Sequence, residues 1–321
     1  PGASTIVRVD EDGNDIRPRF LSNHTHYSPT DPDAKISVKP GKARQLNYAG
    51  QIAVDDAHHV ITGATASTAG TKDSMILPEI VDQTMENLKD NFLQMDELVA
   101  DAGYSSGEAL QYLENKNINA WIPNFGQYKY EREGFLYNEE LDQYECTREG
   151  GNKAILPFKK QSITTKGHEL KSYRSSETVC KICPLREQCI GSKTTFKKIN
   201  HTIHKPLYDK MHRKLSEHKS YHQWLVKRRS STVEPVLGTL INHHNMRRIN
   251  SRGMDQARKH VLMAALTYNL KKYLKFTTRK VLAQVVAMEV RGSQGLLYML
   301  QAAIACILGS RVTHKLVFAL K

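Results

Sequence analysis

Leu98-Val99-Ala100-Asp101-Ala102-Gly103-Tyr104 is an apolar run that stops at a carboxylate and a glycine turn. A run this short reads as a buried strand. A carboxylate at its exit is costly unless a metal, a cation or water meets it. Two readings stay open for Asp101, a turn residue that caps the next helix or a ligand in a site. A second acid, Glu234, lies in Ser231-Thr232-Val233-Glu234-Pro235. That pattern predicts a helix start, with a hydroxyl cap and Pro in the first turn. Lys227-Arg228-Arg229 precede Glu234 and Arg247-Arg248 follow it. The glutamate either complements the helix dipole or ligates a divalent metal beside a phosphate backbone, the layout of two-metal phosphoryl transfer.

Cys180-Lys-Ile-Cys183 is a zinc half-site spacing, because two intervening residues let both thiolates reach one tetrahedral ion. Cys146 and Cys189 would complete four ligands for a structural Zn2+, with buried thiols as the alternative; a disulfide framework is disfavoured. Cys306 lies in an apolar stretch and reads as core. Asn242-His-His-Asn-Met-Arg-Arg-Ile-Asn-Ser-Arg-Gly253 combines amide, imidazole and guanidinium groups, which contact phosphates and base edges. Adjacent His243 and His244 point to different helix faces, which favours surface or DNA contact over joint metal ligation.

These groups need elements to position them. Tyr48 to Asp55 alternates with period two, Asp56 to His59 turns, and Val60 onward returns, predicting a hairpin. A helix from Asp73 to about Phe92, the Asp101 strand, a helix over 106–115 and a strand over 118–123 follow. That order indicates a mixed α/β sheet. Residues 124–204 interrupt it with a polar, Cys-bearing insertion. Helices are expected at 205–227, 232–245, 255–275 and 279–308. The boundaries are therefore a loop-rich lead-in at 1–46, a first core part at 47–123, the insertion at 124–204, a helical completion at 205–277 and a helical tail at 278–321.

The chain has 321 residues, and its charge is uneven. Residues 193–280 hold 21 Lys and Arg against 4 Asp and Glu, whereas residues 1–192 hold 21 against 28. So concentrated a cationic region points to a polyanion such as nucleic acid; the alternatives are a solvated face or a heparin-like or membrane-surface patch. The longest apolar stretch, Leu296 to Leu308, is too short to span a bilayer. Pro1 opens the chain with no signal peptide, as if an upstream segment were missing. Clustered cysteines suggest a reducing, cytoplasmic setting.

Ser28-Pro-Thr-Asp-Pro-Asp-Ala34, Ala100-Asp-Ala-Gly-Tyr104, the cysteine cluster, Ser231-Thr-Val-Glu-Pro-Val-Leu-Gly238 and Ala264-Ala-Leu-Thr-Tyr-Asn-Leu-Lys-Lys-Tyr273 occur in that order. Together they resemble the DDE transposases of bacterial insertion sequences, in the group with a Tyr–Arg–Glu–Lys signature. The resemblance implies an RNase-H-like core in which two Asp and one Glu bind two Mg2+ (or Mn2+) ions. Asp101 would be the second Asp and Glu234 the Glu. No motif for the first Asp precedes Tyr48, and Asp55 is the internal substitute. The implied activity is DNA strand cleavage and strand transfer at element ends, by a homo-oligomer that synapses two ends of double-stranded DNA, with no membrane partner. Lys227, Arg228, Arg229, Asn242, Arg247, Arg248 and Arg252 are the expected DNA contacts. Whether this chain is itself active stays open; the rivals are a non-catalytic zinc-bearing DNA-binding remnant and an RNase-H-like nuclease.

Overall fold

The computed structural model describes residues 4–5, 22–37, 44–124, 128–165, 167–289 and 314–320. In chain order, the first elements are β1 (Ser4–Thr5), β2 (His26–Tyr27), β3 (Lys35–Ser37), β4 (Gln45–Asp55) and β5 (Ile61–Thr68). Helix α1 (Asp73–Lys89), β6 (Met95–Val99), α2 (Gly107–Asn115) and β7 (Asn119–Trp121) follow. Then come β8 (Phe135–Asn138), β9 (Gln143–Cys146), β10 (Ile155–Ile163), β11 (Glu169–Arg174), α3 (Glu177–Lys181), α4 (Arg186–Ile190) and β12 (Lys198–Thr202). The chain continues through α5 (Lys205–Glu217), α6 (Lys219–His243), α7 (Met254–Glu289) and β13 (His314–Leu320). The class is mixed α/β, and the chain divides into two units.

Unit 1 comprises residues 1–104, 116–122 and 220–321. Its sheet joins the antiparallel β4–β5 hairpin to β13, which runs antiparallel to β4 and parallel to β6; β7 lies parallel beyond β6. Ile52, Val54, Leu98 and Val99 are buried in it. Helix α1 buries Leu77, Ile80, Val81, Thr84 and Leu88, the spacing of one helical face. Gly63 of β5 admits α1 closely, since a Cβ there would stand 2.4 Å from Thr84 Oγ1. Side chains cap the outer edge of β5. Gln83 accepts from Ala64 N–H at 2.9 Å, Asn87 donates to Thr62 C=O at 2.8 Å, and Asn269 bridges both main-chain groups of Ile61. An edge so occupied cannot template another strand.

Two expectations need correction. Helix α6 runs unbroken from Lys219 to His243 through Pro235, so the break falls at His218 and not at 228–231. Pro235 lacks the N–H that Ser231 C=O would accept, but burial of Val233, Val236, Leu237 and Leu240 holds the helix to the core. The expected helical tail over 278–321 is also not uniform. Helix α7 reaches Glu289, and residues 314–320 form a strand because they complete the sheet between β4 and β6. The rest of that tail, with Cys306, lies outside the described residues.

Unit 2 comprises residues 105–115 and 123–219, so the segment expected as an insertion gains α2 and α5. Five antiparallel strands order as β12-β11-β10-β9-β8. Phe135, Tyr144, Leu156, Tyr173 and Ile199 form its core, with Cys146 and Cys189 packed against it.

Candidate functional site

Asp101 stands just beyond β6, half-buried. Its Oδ1 accepts Gly103 N–H at 2.8 Å and its main-chain oxygen accepts Tyr104 N–H at 3.2 Å, so the glycine turn orients the carboxylate. Within β6, Glu97 accepts from Trp121 Nε1–H at 2.6 Å, Asn119 at 3.2 Å and the Tyr221 hydroxyl of α6 at 2.9 Å. Three donors already occupy Glu97, which anchors the helix.

Tyr104 is fully buried. Burial, then the charges of Asp73 and Asp101, push its hydroxyl well above the ordinary phenol range, while Arg229 opposes them. Asp73, at the start of α1, thus shares the surroundings of Asp101. Arg229 lies five residues before Glu234, which is exposed on the flank of α6 away from its buried stripe.

Asp55 is placed elsewhere. It pairs in register with Leu316 of β13, itself opposite Leu98, so Asp101 lies three residues farther along the sheet. That is about 10 Å along the strands, and two strand spacings of about 4.8 Å across. Asp55 is buried, and its carboxylate accepts Ala57 N–H at 3.2 Å and His58 N–H at 2.8 Å, closing the hairpin turn. Among the described residues, no three His, Cys, Asp or Glu side chains form a group ready to hold a metal.

The expected DNA contacts fall into two sets. Lys227, Asn242, Arg247, Arg248 and Arg252 are exposed, and Asn242 accepts from Arg247 at 3.0 Å. Arg228 is engaged internally, donating to Asp56 Oδ2 at 3.2 Å and to Asp56 C=O at 2.8 Å. Arg247, Arg248 and Arg252 ride on the α6–α7 corner, which the Ser28-to-Ala34 motif clamps. Asp31 Oδ1 accepts Gly253 N–H at 3.2 Å and Asp33 Oδ2 accepts Met254 N–H at 3.0 Å, capping α7.

Unit 2 carries cations that sequence reading missed, because strand pairing brings them together from β10, β11 and β12. Lys159, Lys160, Arg174 and Lys198, with Ser172 and Phe196, line an open groove of about 410 Å³. Arg174 stacks over the Phe196 ring at 3.5 Å. All four clustered cysteines of this unit are free thiols and line one small cavity.

Residues 149–274 match the family model described as Transposase DDE domain. The match includes Cys180, Cys183, Cys189 and Glu234; Asp101 and Cys146 precede it. Neither a curated protein nor a solved structure matches the chain. No described helix is long and apolar enough to cross a membrane. Residues 149–274, with the basic α6–α7 corner and Glu234 inside them, are thus similar to the transposase DDE domain.

Proposed function

We propose that the chain is the catalytic part of a DNA transposase that cuts and joins strands at insertion-sequence ends, with Asp101 and Glu234 as metal-binding acids. The observation that carries this reading is that Asp101 and Arg229, the latter on the helix bearing Glu234, both act on the buried Tyr104 hydroxyl. An RNase-H-like core is supported by the unit 1 sheet, an antiparallel hairpin flanking three mutually parallel strands. The slot that the resemblance gives to the first catalytic Asp corresponds to β13, whose sequence His-Lys-Leu-Val-Phe-Ala-Leu holds no acid. Asp73 is the further carboxylate nearest in its effects to Asp101.

Carboxylate oxygens suit a hard dication, and Asp101 is already oriented by Gly103 N–H. Bound Mg2+ would activate the attacking oxygen and neutralise charge at the scissile phosphate. The protein's part is to hold Asp101 rigid at the strand exit, to present Glu234 from α6, and to grip the phosphates. Lys227, Arg247, Arg248 and Arg252 do the gripping, as an oligomer synapsing two ends.

Nicking of supercoiled plasmid by the full chain in Mg2+ tests this. Asp101→Asn and Glu234→Gln should each lower nicking at least on the order of 100-fold, since even outer partners of a metal ligand are worth about 10–100-fold. Salt-dependent DNA binding should survive in both. Wild-type nicking in Asp101→Asn would refute the site. A second reading, a zinc-bearing DNA-binding remnant, is favoured by the unit 2 groove, whose lining of Lys159, Lys160, Arg174 and Lys198 suits phosphates and includes neither acid. It predicts DNA binding that persists in Glu234→Gln and needs no added Mg2+, with no metal-dependent nicking in the unmutated chain. Cutting without joining would indicate the nuclease.

A further inference from the structure

The four cysteines come from separated places in unit 2. Cys146 ends β9, Cys180 and Cys183 flank the end of α3, and Cys189 lies in α4. Around α3 and α4 the chain has little core of its own, since neither helix buries a residue. The thiols nonetheless line a common cavity of about 20 Å³. That is room for one water-sized body and excludes an organic substrate.

What surrounds the thiols decides between a plain apolar pocket and an ion site. Arg148, Arg186 and Lys197 line the same cavity. The Nε–H groups of Arg148 and Arg186 are buried with no acceptor. An orphaned guanidinium N–H is costly, because a charged donor has left water without gaining an acceptor, and neutral thiols accept hydrogen bonds poorly. Four thiolates around one dication carry a net charge of −2. They would supply acceptors for these two Nε–H groups and countercharge for all three cations. Outer N–H donors of this kind orient and tune metal ligands.

We infer that Cys146, Cys180, Cys183 and Cys189 bind a single structural Zn2+, with Arg148 and Arg186 donating N–H···S bonds to the sulfurs. Binding converts four S–H groups to four S–Zn bonds and releases four protons to solvent, with no change of oxidation state. The thiols line the cavity without yet forming a metal-holding group, so they draw inward on binding. The tie fastens α3 and α4 to β9, replacing a core with a metal. This inference is independent of the transposase reading.

Elemental analysis of the full chain, purified under reducing conditions with Zn2+ supplied, should give one equivalent of zinc. Cys183→Ser should lose most of it, and Cys306→Ser none. If Cys183→Ser fails to fold, the unmutated chain still decides. Chelator-stripped protein titrated with Co2+ should develop the intense sulfur-to-cobalt absorption of a tetrahedral thiolate site, saturating at one equivalent. Absence of bound metal and of that absorption would overturn the inference. So would zinc retained in a variant with all four cysteines replaced by serine, or a Cys180–Cys183 disulfide in the freshly purified, folded protein.

Discussion

At the scale of the residue, unit 2 stores pH sensitivity in His201. Both ring nitrogens are engaged, Nδ1 with the Tyr144 hydroxyl at 2.9 Å and Nε2 with the Tyr173 hydroxyl at 3.0 Å. Burial, and then the charges of Lys205, Lys171 and Arg132, hold its pKa down at about 4 against the partial opposition of Asp142. A histidine whose pKa is depressed by folding favours the native state above the unfolded value and loses that contribution as pH falls. Unit 2 should therefore weaken between about pH 6.5 and pH 4, by roughly 3 kcal/mol. Thermal melts across that window in unmutated protein and in His201→Gln check it. The variant should show a flatter dependence, and an equal slope in both would reject the assignment. None of this was legible from His201 alone, because its partners are 57 and 28 positions away. The strand exit at Asp101 was legible because its signal is local, an apolar run ending in Asp-Ala-Gly. Its relation to Asp73 and Arg229 was not.

At the scale of the element, α7 depends on a cap supplied from far upstream. Asp33 accepts Met254 N–H, and Gly253 turns the chain with φ of +87°, where a side chain is strained. Asp33→Ala should cost about 1 kcal/mol, lowering the melting temperature of unit 1 by about 2–4 °C. Loss of stability with α7 amide exchange unchanged would argue against a capping role. The Ser-Pro-Thr-Asp-Pro-Asp motif reads as a loop in sequence, and a loop it is. What the pattern could not reveal is that its carboxylates fasten the corner carrying Arg247, Arg248 and Arg252. Pro235 misled in the opposite direction, since local chemistry favoured a helix start and tertiary burial overrode it. The β10 strand was hidden for a related reason: most of its residues are exposed, so no apolar alternation marks it.

At the scale of the whole molecule, the hairpin, α1, β6, α2 and β7 were legible because each forms from neighbours in sequence. The sheet's centre was not, because β13 has no local partner. Val317 pairs with Val54 and Val99, 263 and 218 positions earlier, whereas β8 to β12 pair only among themselves within residues 135–202. Closing such long chain loops is slow, because their entropy must be lost before any contact rewards it. Refolding should thus be ordered in time. In pulsed hydrogen-exchange labelling, amides of β8 to β12 should gain protection first, and those of β4 and β6 that face β13 last. Simultaneous protection of both sets would contradict this. During synthesis the same ordering leaves the open edges of β4 and β6 without their shared neighbour until β13 has emerged. For that interval unit 1 offers a vacant strand position that a chaperone, or the same segment of another copy, can enter first.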